Sequence, residues 1–234
     1  MTPSIIHQHR MTEAVEQAQE HWRRRRLEAP RTALAFTVAI TREAGAPGTA
    51  VAREVGGLLS WPVYDHELLE KIAQEMGLRV NLLESVDELH QSWLLESLQA
   101  LSSSPHVTES SYVRHLVETI LSLGFHGHCV IVGRGAAQLL PEARTLRVRL
   151  MARREDRVER IAQMHGLARD QAERKTDEID RDRVRFVKNH FHKDPTDLLH
   201  YDLILNASRW SVAECADFIV QGCRSLQKRL RPGA

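Results

Sequence analysis

The residues Thr41-Arg42-Glu43-Ala44-Gly45-Ala46-Pro47-Gly48-Thr49 have the makings of a loop that holds an anion. Small residues let backbone N–H groups from Ala44 to Thr49 converge on one point, and Thr49 adds a hydroxyl. Pro47 removes one donor and fixes φ where a flexible glycine is expected. On the phosphate-loop frame G-x-x-x-x-G-K-S/T only Thr49 keeps a fixed position; Gly48 stands at the lysine and Arg42 at the first glycine. Further along, Asp65 ends a short apolar stretch and can cap a helix beginning at His66. Arg134 lies between Gly133 and Gly135 at a strand-to-helix turn, a place suited to an anion contact. Arg181, Arg183 and Arg185 sit in a highly charged run. Either they meet negative charge in a cleft or they pair with Asp177, Asp180 and Asp182 on their own helix.

The elements that must carry these residues read as an alternating α/β chain. Leu34 to Ile40 has the composition of a buried parallel strand. Val51, Val55, Leu58 and Leu59 then recur on one helical face, so the loop runs into a helix N-terminus. Trp61 to Asp65 is a second short strand, and His66 to Met76 a helix closed near Gly77. Val113, Leu116, Val117, Ile120 and Leu121 form a helical stripe that leads to a third strand, Cys129 to Val132. Leu146 to Leu150 alternates as a fourth strand, followed by a helix over Glu155 to His165 and a long helical run from Ala168 to His192. Tyr201 to Asn206 is the fifth strand, and Val212 to Leu226 a tightly periodic last helix. Five strands alternating with helices imply a parallel sheet with right-handed crossovers.

These residues resemble the cytidylate-kinase-like family, a branch of the P-loop nucleoside monophosphate kinases whose loop lacks the usual lysine. Thr41, Arg42, Glu43, Gly45 and Gly48 keep the family's loop pattern, while Ala44 and Pro47 depart from it. Tyr64-Asp65 matches the end of its second strand, and Gly133-Arg134 its third turn, where Gly135 replaces the family's aspartate. The resemblance runs from about Ala35 to Ile219. It implies a three-layer α/β fold with a five-stranded parallel sheet ordered 2-3-1-4-5, acceptor-side helices over about 66–127 and a helical lid over about 168–193. Residues 31–234 would form that domain, preceded by an amphipathic helix and linker over 1–30. It further implies ATP and Mg2+ as cofactors and a nucleotide as the small-molecule substrate. Ala44, Gly45, Ala46, Gly48 and Thr49 would cradle the donor phosphates. Thr49 and Asp65 would hold Mg2+, with Asp65 also near the acceptor. Arg42 would replace the missing lysine, Arg134 would hold the acceptor phosphate, and Arg181, Arg183 and Arg185 would serve from the lid. With Gly135 in place of the aspartate, CMP is not the expected preference.

Composition narrows the alternatives. Charged residues make up 27% and aromatics 5% of 234 residues, which argues against a disordered chain, and no apolar run approaches the ~20 residues of a spanning helix. The start, MTPSIIHQHRMTEA, lacks the continuous apolar core of a signal peptide, and the three cysteines lack metal-site spacing, so a reducing cytoplasm is expected. A net charge of +1 calls for no polyanionic partner; Arg23 to Arg26 is one basic patch without an aromatic stacking platform, which disfavours nucleic acid as a ligand. Met11, Ala14, Val15, Ala18 and Trp22 mark the N-terminal helix, which would pack on the core or on a second subunit in a homodimer. Two readings from different classes follow: an ATP-dependent kinase, or a nucleotide-binding regulatory or scaffolding module that does no transfer.

Overall fold

The structure is a computed structural model that describes residues 36–65 and 111–229. The helices expected over 1–30 and within 66–110, and Arg23 to Arg26, lie outside the described residues. Five strands, β1 (Thr37–Arg42), β2 (Val63–Tyr64), β3 (Cys129–Val132), β4 (Thr145–Met151) and β5 (Leu203–Asn206), form one parallel sheet in the order β2-β3-β1-β4-β5. Helices intervene in chain order: α1 (Gly48–Leu59), α2 (Ser111–His126), α3 (Ala136–Leu139), α4 (Arg154–His165), α5 (Arg169–Phe191) and α6 (Val212–Arg229).

Side-chain alternation along the central strands builds two cores. Val38, Ile40, Val130, Val132, Leu146, Val148 and Leu150 face α1 and α6, where they meet Val51, Val55, Cys215 and Ile219. Ala39, Cys129 and Ile131 face the opposite way, onto Leu116, Ile120, Ala137 and Phe191 of α2, α3 and α5. Because helices cover both faces, β1 and β3 are apolar on both, as parallel strands are. β4 is the exception, since Arg147 and Arg149 alternate with its leucines and valine. There the cover is an irregular segment: Arg149 Nη1 donates to Pro195 O at 2.7 Å and its guanidinium lies 5.6 Å from the Tyr201 ring, while the Arg147 amide donates to Asp202 at 2.7 Å.

Local sequence sets the element ends. Ser60, in the left-handed region at φ 55°, closes α1, and Trp61 N–H returns to Gly56 O at 2.8 Å. Leu58, placed on the inner face by periodicity, is 45% exposed, because the core contact of α1 ends at Gly56 and only Leu59 turns back to it. α6 begins with a reciprocal cap, Ser211 Oγ accepting from Glu214 N–H and the Glu214 carboxylate from Ser211 N–H. α4 and α5 form a hairpin about Gly166 with a small core of its own, built on Val158, Ile161 and Ala172. That hairpin leans over the carboxyl ends of the strands.

Candidate functional site

In a parallel sheet the carboxyl ends of adjacent strands open a crevice where ligands bind. Register brings the chosen residues to that edge: Ile40 pairs with Val132 and Tyr64 with Ile131, so Arg42, Asp65 and the turn after β3 all emerge together. The crevice is about 590 Å³ and is lined by the guanidiniums of Arg42, Arg134 and Arg183 together with apolar Val184, Phe186 and Pro195.

The Arg42 side chain runs from the end of β1 past Gly48 to the turn after β3. Its stem crosses Gly48, where a side chain's Cβ would come within 2.7 Å of Arg42 Cγ. Its head reaches Gly133, where a Cβ would lie 2.1 Å from Nη1. Both glycines are explained by one arginine, and so is the lost lysine: the space it would need is filled. Burial lowers the pKa of the Arg42 guanidinium, with the charges of Arg183 and then Arg134 adding to the effect and Asp65 opposing it.

Arg134 is delivered by three consecutive residues in the left-handed region, at φ 80°, 51° and 74° for Gly133, Arg134 and Gly135. Such backbone is costly for a residue with a side chain and marks a site where position matters. Its guanidinium sits 5.5 Å from the Phe186 ring, and burial lowers its pKa. Gly135 has no room for a carboxylate, since a Cβ there would meet Phe191 Cε2 at 2.2 Å. The ring takes the place of the family's aspartate.

Of the three lid arginines, the structure brings only Arg183 into the crevice, where its Nη1 donates to the Arg42 carbonyl at 3.1 Å. Burial lowers Arg183, Asp180 offsets part of that, and Arg134 adds to it. Arg185 is exposed and pairs with Asp182 at 3.7 Å, and Arg181 is exposed on the same outer side. The reason is helical: Arg181 and Arg185 are four residues apart and share a face, while Arg183 lies about 200° around the axis from either.

β1 extends through Arg42 and α1 starts at Gly48, so the loop itself is Glu43 to Pro47. Its amides are largely engaged. Ala44 N–H donates to Asp180 Oδ1 at 2.7 Å, Ala46 N–H to Glu43 O at 3.1 Å, and Gly48 N–H to Ala46 O at 2.8 Å. Gly45 and Thr49 keep N–H groups without a partner among the described residues, and no side chain caps α1. Thr49 is half-buried in the first turn of α1, and Asp65 follows β2 directly.

Of the loop's surroundings, Arg157 and Arg160 were not singled out from the sequence, and Glu43 and Asp180 were named only as a pattern residue and as a helix partner. Glu43 Oε2 accepts from Ala152 N–H at 3.1 Å and lies 3.5 Å from Arg157 Nε. Arg157 Nη1 binds Asp180 Oδ2 at 2.6 Å, and Arg160 Nη1 donates to Gly45 O at 2.7 Å. Arg157 and Arg160 are one turn apart in a helix whose inner stripe, Val158 and Ile161, was legible, and that spacing was the available signal. The bond from Ala152 to Glu43 had none, because the two are 109 residues apart.

Sheet order, strand–loop–helix entry and guanidinium-lined crevice define a P-loop kinase-like α/β protein. The chain belongs to the cytidylate kinase-like family, whose pattern residues 37–209 match. A cytidylate kinase from Methanopyrus kandleri is 35% identical over 92 residues, which are 39% of this chain and 48% of that protein; the match thus spans about half of the relative's length. The crystal structure of an uncharacterized protein from Eubacterium ventriosum shares the fold, with a TM-score of 0.65 at 19% identity over 82% of this chain and 99% of that one.

Proposed function

We propose that this protein transfers the γ-phosphoryl group of ATP to a small phosphate-bearing acceptor, with a nucleoside monophosphate as the class the family favours. The observation that carries the reading is the convergence of Arg42, Arg134 and Arg183 on one crevice at the carboxyl edge of the sheet. Burial lowers the pKa of all three half-buried guanidiniums, and the charge of Arg134 adds to the effect on Arg42 and Arg183, so a bound phosphate would relieve repulsion there.

The donor set suits a magnesium nucleotide. Gly45 and Thr49 retain free N–H groups and the helix N-terminus is uncapped, which favours an anion there. Thr49 and Asp65 are the residues that would hold Mg2+, and Gly45 and Thr49 those whose N–H groups would meet the donor phosphates. When bound, ATP supplies the phosphoryl group and Mg2+ spreads its charge. The chain's own work is positioning and charge. Arg134, fixed by its backbone, holds the acceptor phosphate. Arg42 anchors the edge between loop and acceptor, with Asp65 as its counter-charge. Arg183 closes from the lid onto charge that develops during transfer. Val184, Phe186 and Pro195 give the crevice an apolar portion beside the guanidiniums.

A second reading, a nucleotide-binding module without transfer, is favoured by the loop. Pro47 has no N–H and Gly48 turns its own onto Ala46 O, which leaves fewer donors than a full phosphate loop offers. ATP with Mg2+ against a panel of nucleoside monophosphates, read as ADP release, separates the two. Acceptor-dependent release is expected, with CMP no better than UMP because residue 135 offers no carboxylate. ATP binding without release for any acceptor would favour the module.

A further inference from the structure

Among the described residues, four side chains of the lid hairpin bond to the loop or to the end of β1, and three are arginines that donate to carbonyls. Arg183 reaches Arg42 O, Arg160 reaches Gly45 O, and Arg157 Nη1 lies 3.5 Å from Ala44 O. These cations gather at an edge that already carries Arg42 and Arg134, where Glu43 Oε2, 3.5 Å from Arg157 Nε, offsets part of the like charge. The fourth contact is of the opposite kind. Asp180 accepts from Ala44 N–H with one oxygen and from Arg157 Nη1 with the other, so a single carboxylate joins the loop, α4 and α5. The fit is close: a Cβ on Gly45 would lie 2.4 Å from the Arg157 carbonyl oxygen, so the backbones of loop and α4 touch. Asp180 stands three residues before Arg183, one helical turn away on the same side of α5.

We propose that Asp180 is a positioning residue that sets the register of the lid on the loop and thereby delivers Arg183 to the crevice. It acts through Arg183, one helical turn along α5. The proposal rests on the transfer reading for its kinetic consequence, but the lid–loop latch itself can be measured without turnover.

Two readouts on the full chain test it. Amide hydrogen exchange at Ala44 should be slow in the parent and faster by roughly tenfold or more in Asp180→Ala, since a hydrogen bond to a charged acceptor is lost. Asp177→Ala cuts the neighbouring α4–α5 ion pair, Arg154 to Asp177, which does not reach the loop, and should leave Ala44 exchange as in the parent. Should the alanine variant not fold, Asp180→Asn serves, because its amide group can satisfy only one of the two donors. Equal Ala44 exchange in parent and Asp180 variant overturns the latch. In the kinetic arm, Asp180→Ala should lower kcat with little change in the KM for ATP, and should add little in an Arg183→Ala background. Full additivity overturns the action through Arg183. A parent that releases no ADP with any acceptor defeats the transfer reading, and the exchange experiment then decides the latch alone.

Discussion

Gly135→Asp restores the residue that the family carries at the turn after β3, and the structure predicts that it damages the protein. Gly135 is buried at φ 74°, and a Cβ there would come within 2.2 Å of Phe191 Cε2 and 2.6 Å of Cδ2. Left-handed backbone costs a residue with a side chain about 1 kcal/mol, at the low end for aspartate. Overpacking against a buried ring adds about 1–3 kcal/mol. A loss of about 3 kcal/mol corresponds to a fall in Tm of about 6–12 °C for a chain of this length. Urea unfolding of the parent, Gly135→Asp, Phe191→Ala and the double variant gives the answer. Removing the ring should cost about 3–5 kcal/mol by itself. The two changes together should cost about 1–3 kcal/mol less than their sum, because the clash is counted once and then abolished. A Gly135→Asp variant as stable as the parent, or a strictly additive cycle, would refute the argument that Phe191 holds the place of the carboxylate.

Two other outcomes follow from the site. Thr49→Val removes a hydroxyl at nearly constant volume and should weaken Mg-ATP binding while leaving Mg-free ATP binding little changed, as isothermal titration would show. For Arg42, burial and the charges of Arg183 and Arg134 disfavour the charged guanidinium, which nevertheless keeps its proton as arginines do. Arg42→Gln should therefore relieve that cost and weaken phosphate binding alike at pH 7 and pH 9, as urea unfolding and isothermal titration at the two pH values would show.

Much of this was written in local patterns. The β1–loop–α1 entry, the third strand and both lid helices followed from short apolar runs and helical stripes, and their bounds shifted by only a few residues. Tyr201 was read into the fifth strand but turns inward earlier, where its hydroxyl accepts from Gln138 and donates to Pro195. The choice among the lid arginines was also legible in principle. Arg183 falls on the same i, i+4 stripe as Ile179, Val187 and Phe191, and Arg181 and Arg185 do not. Not legible was the path of Arg42 across Gly48 to Gly133, since it joins segments about ninety residues apart that only the sheet register brings together. The bond from Asp180 to Ala44 belongs to the same kind, with 136 residues between its partners.

Steady-state ADP release by Arg183→Ala, set beside its ATP affinity, decides the account. If Arg183 meets charge that develops during transfer, the variant should lose about 10²–10³ in kcat, as expected for removal of one donor to developing charge. Its affinity for ATP should stay within about threefold, because an interaction made only in the transition state leaves ground-state binding alone. Arg185→Ala, on the outer face, should behave as the parent. An Arg183→Ala variant that turns over like the parent, or one whose ATP affinity falls as far as its turnover, would contradict the assignment.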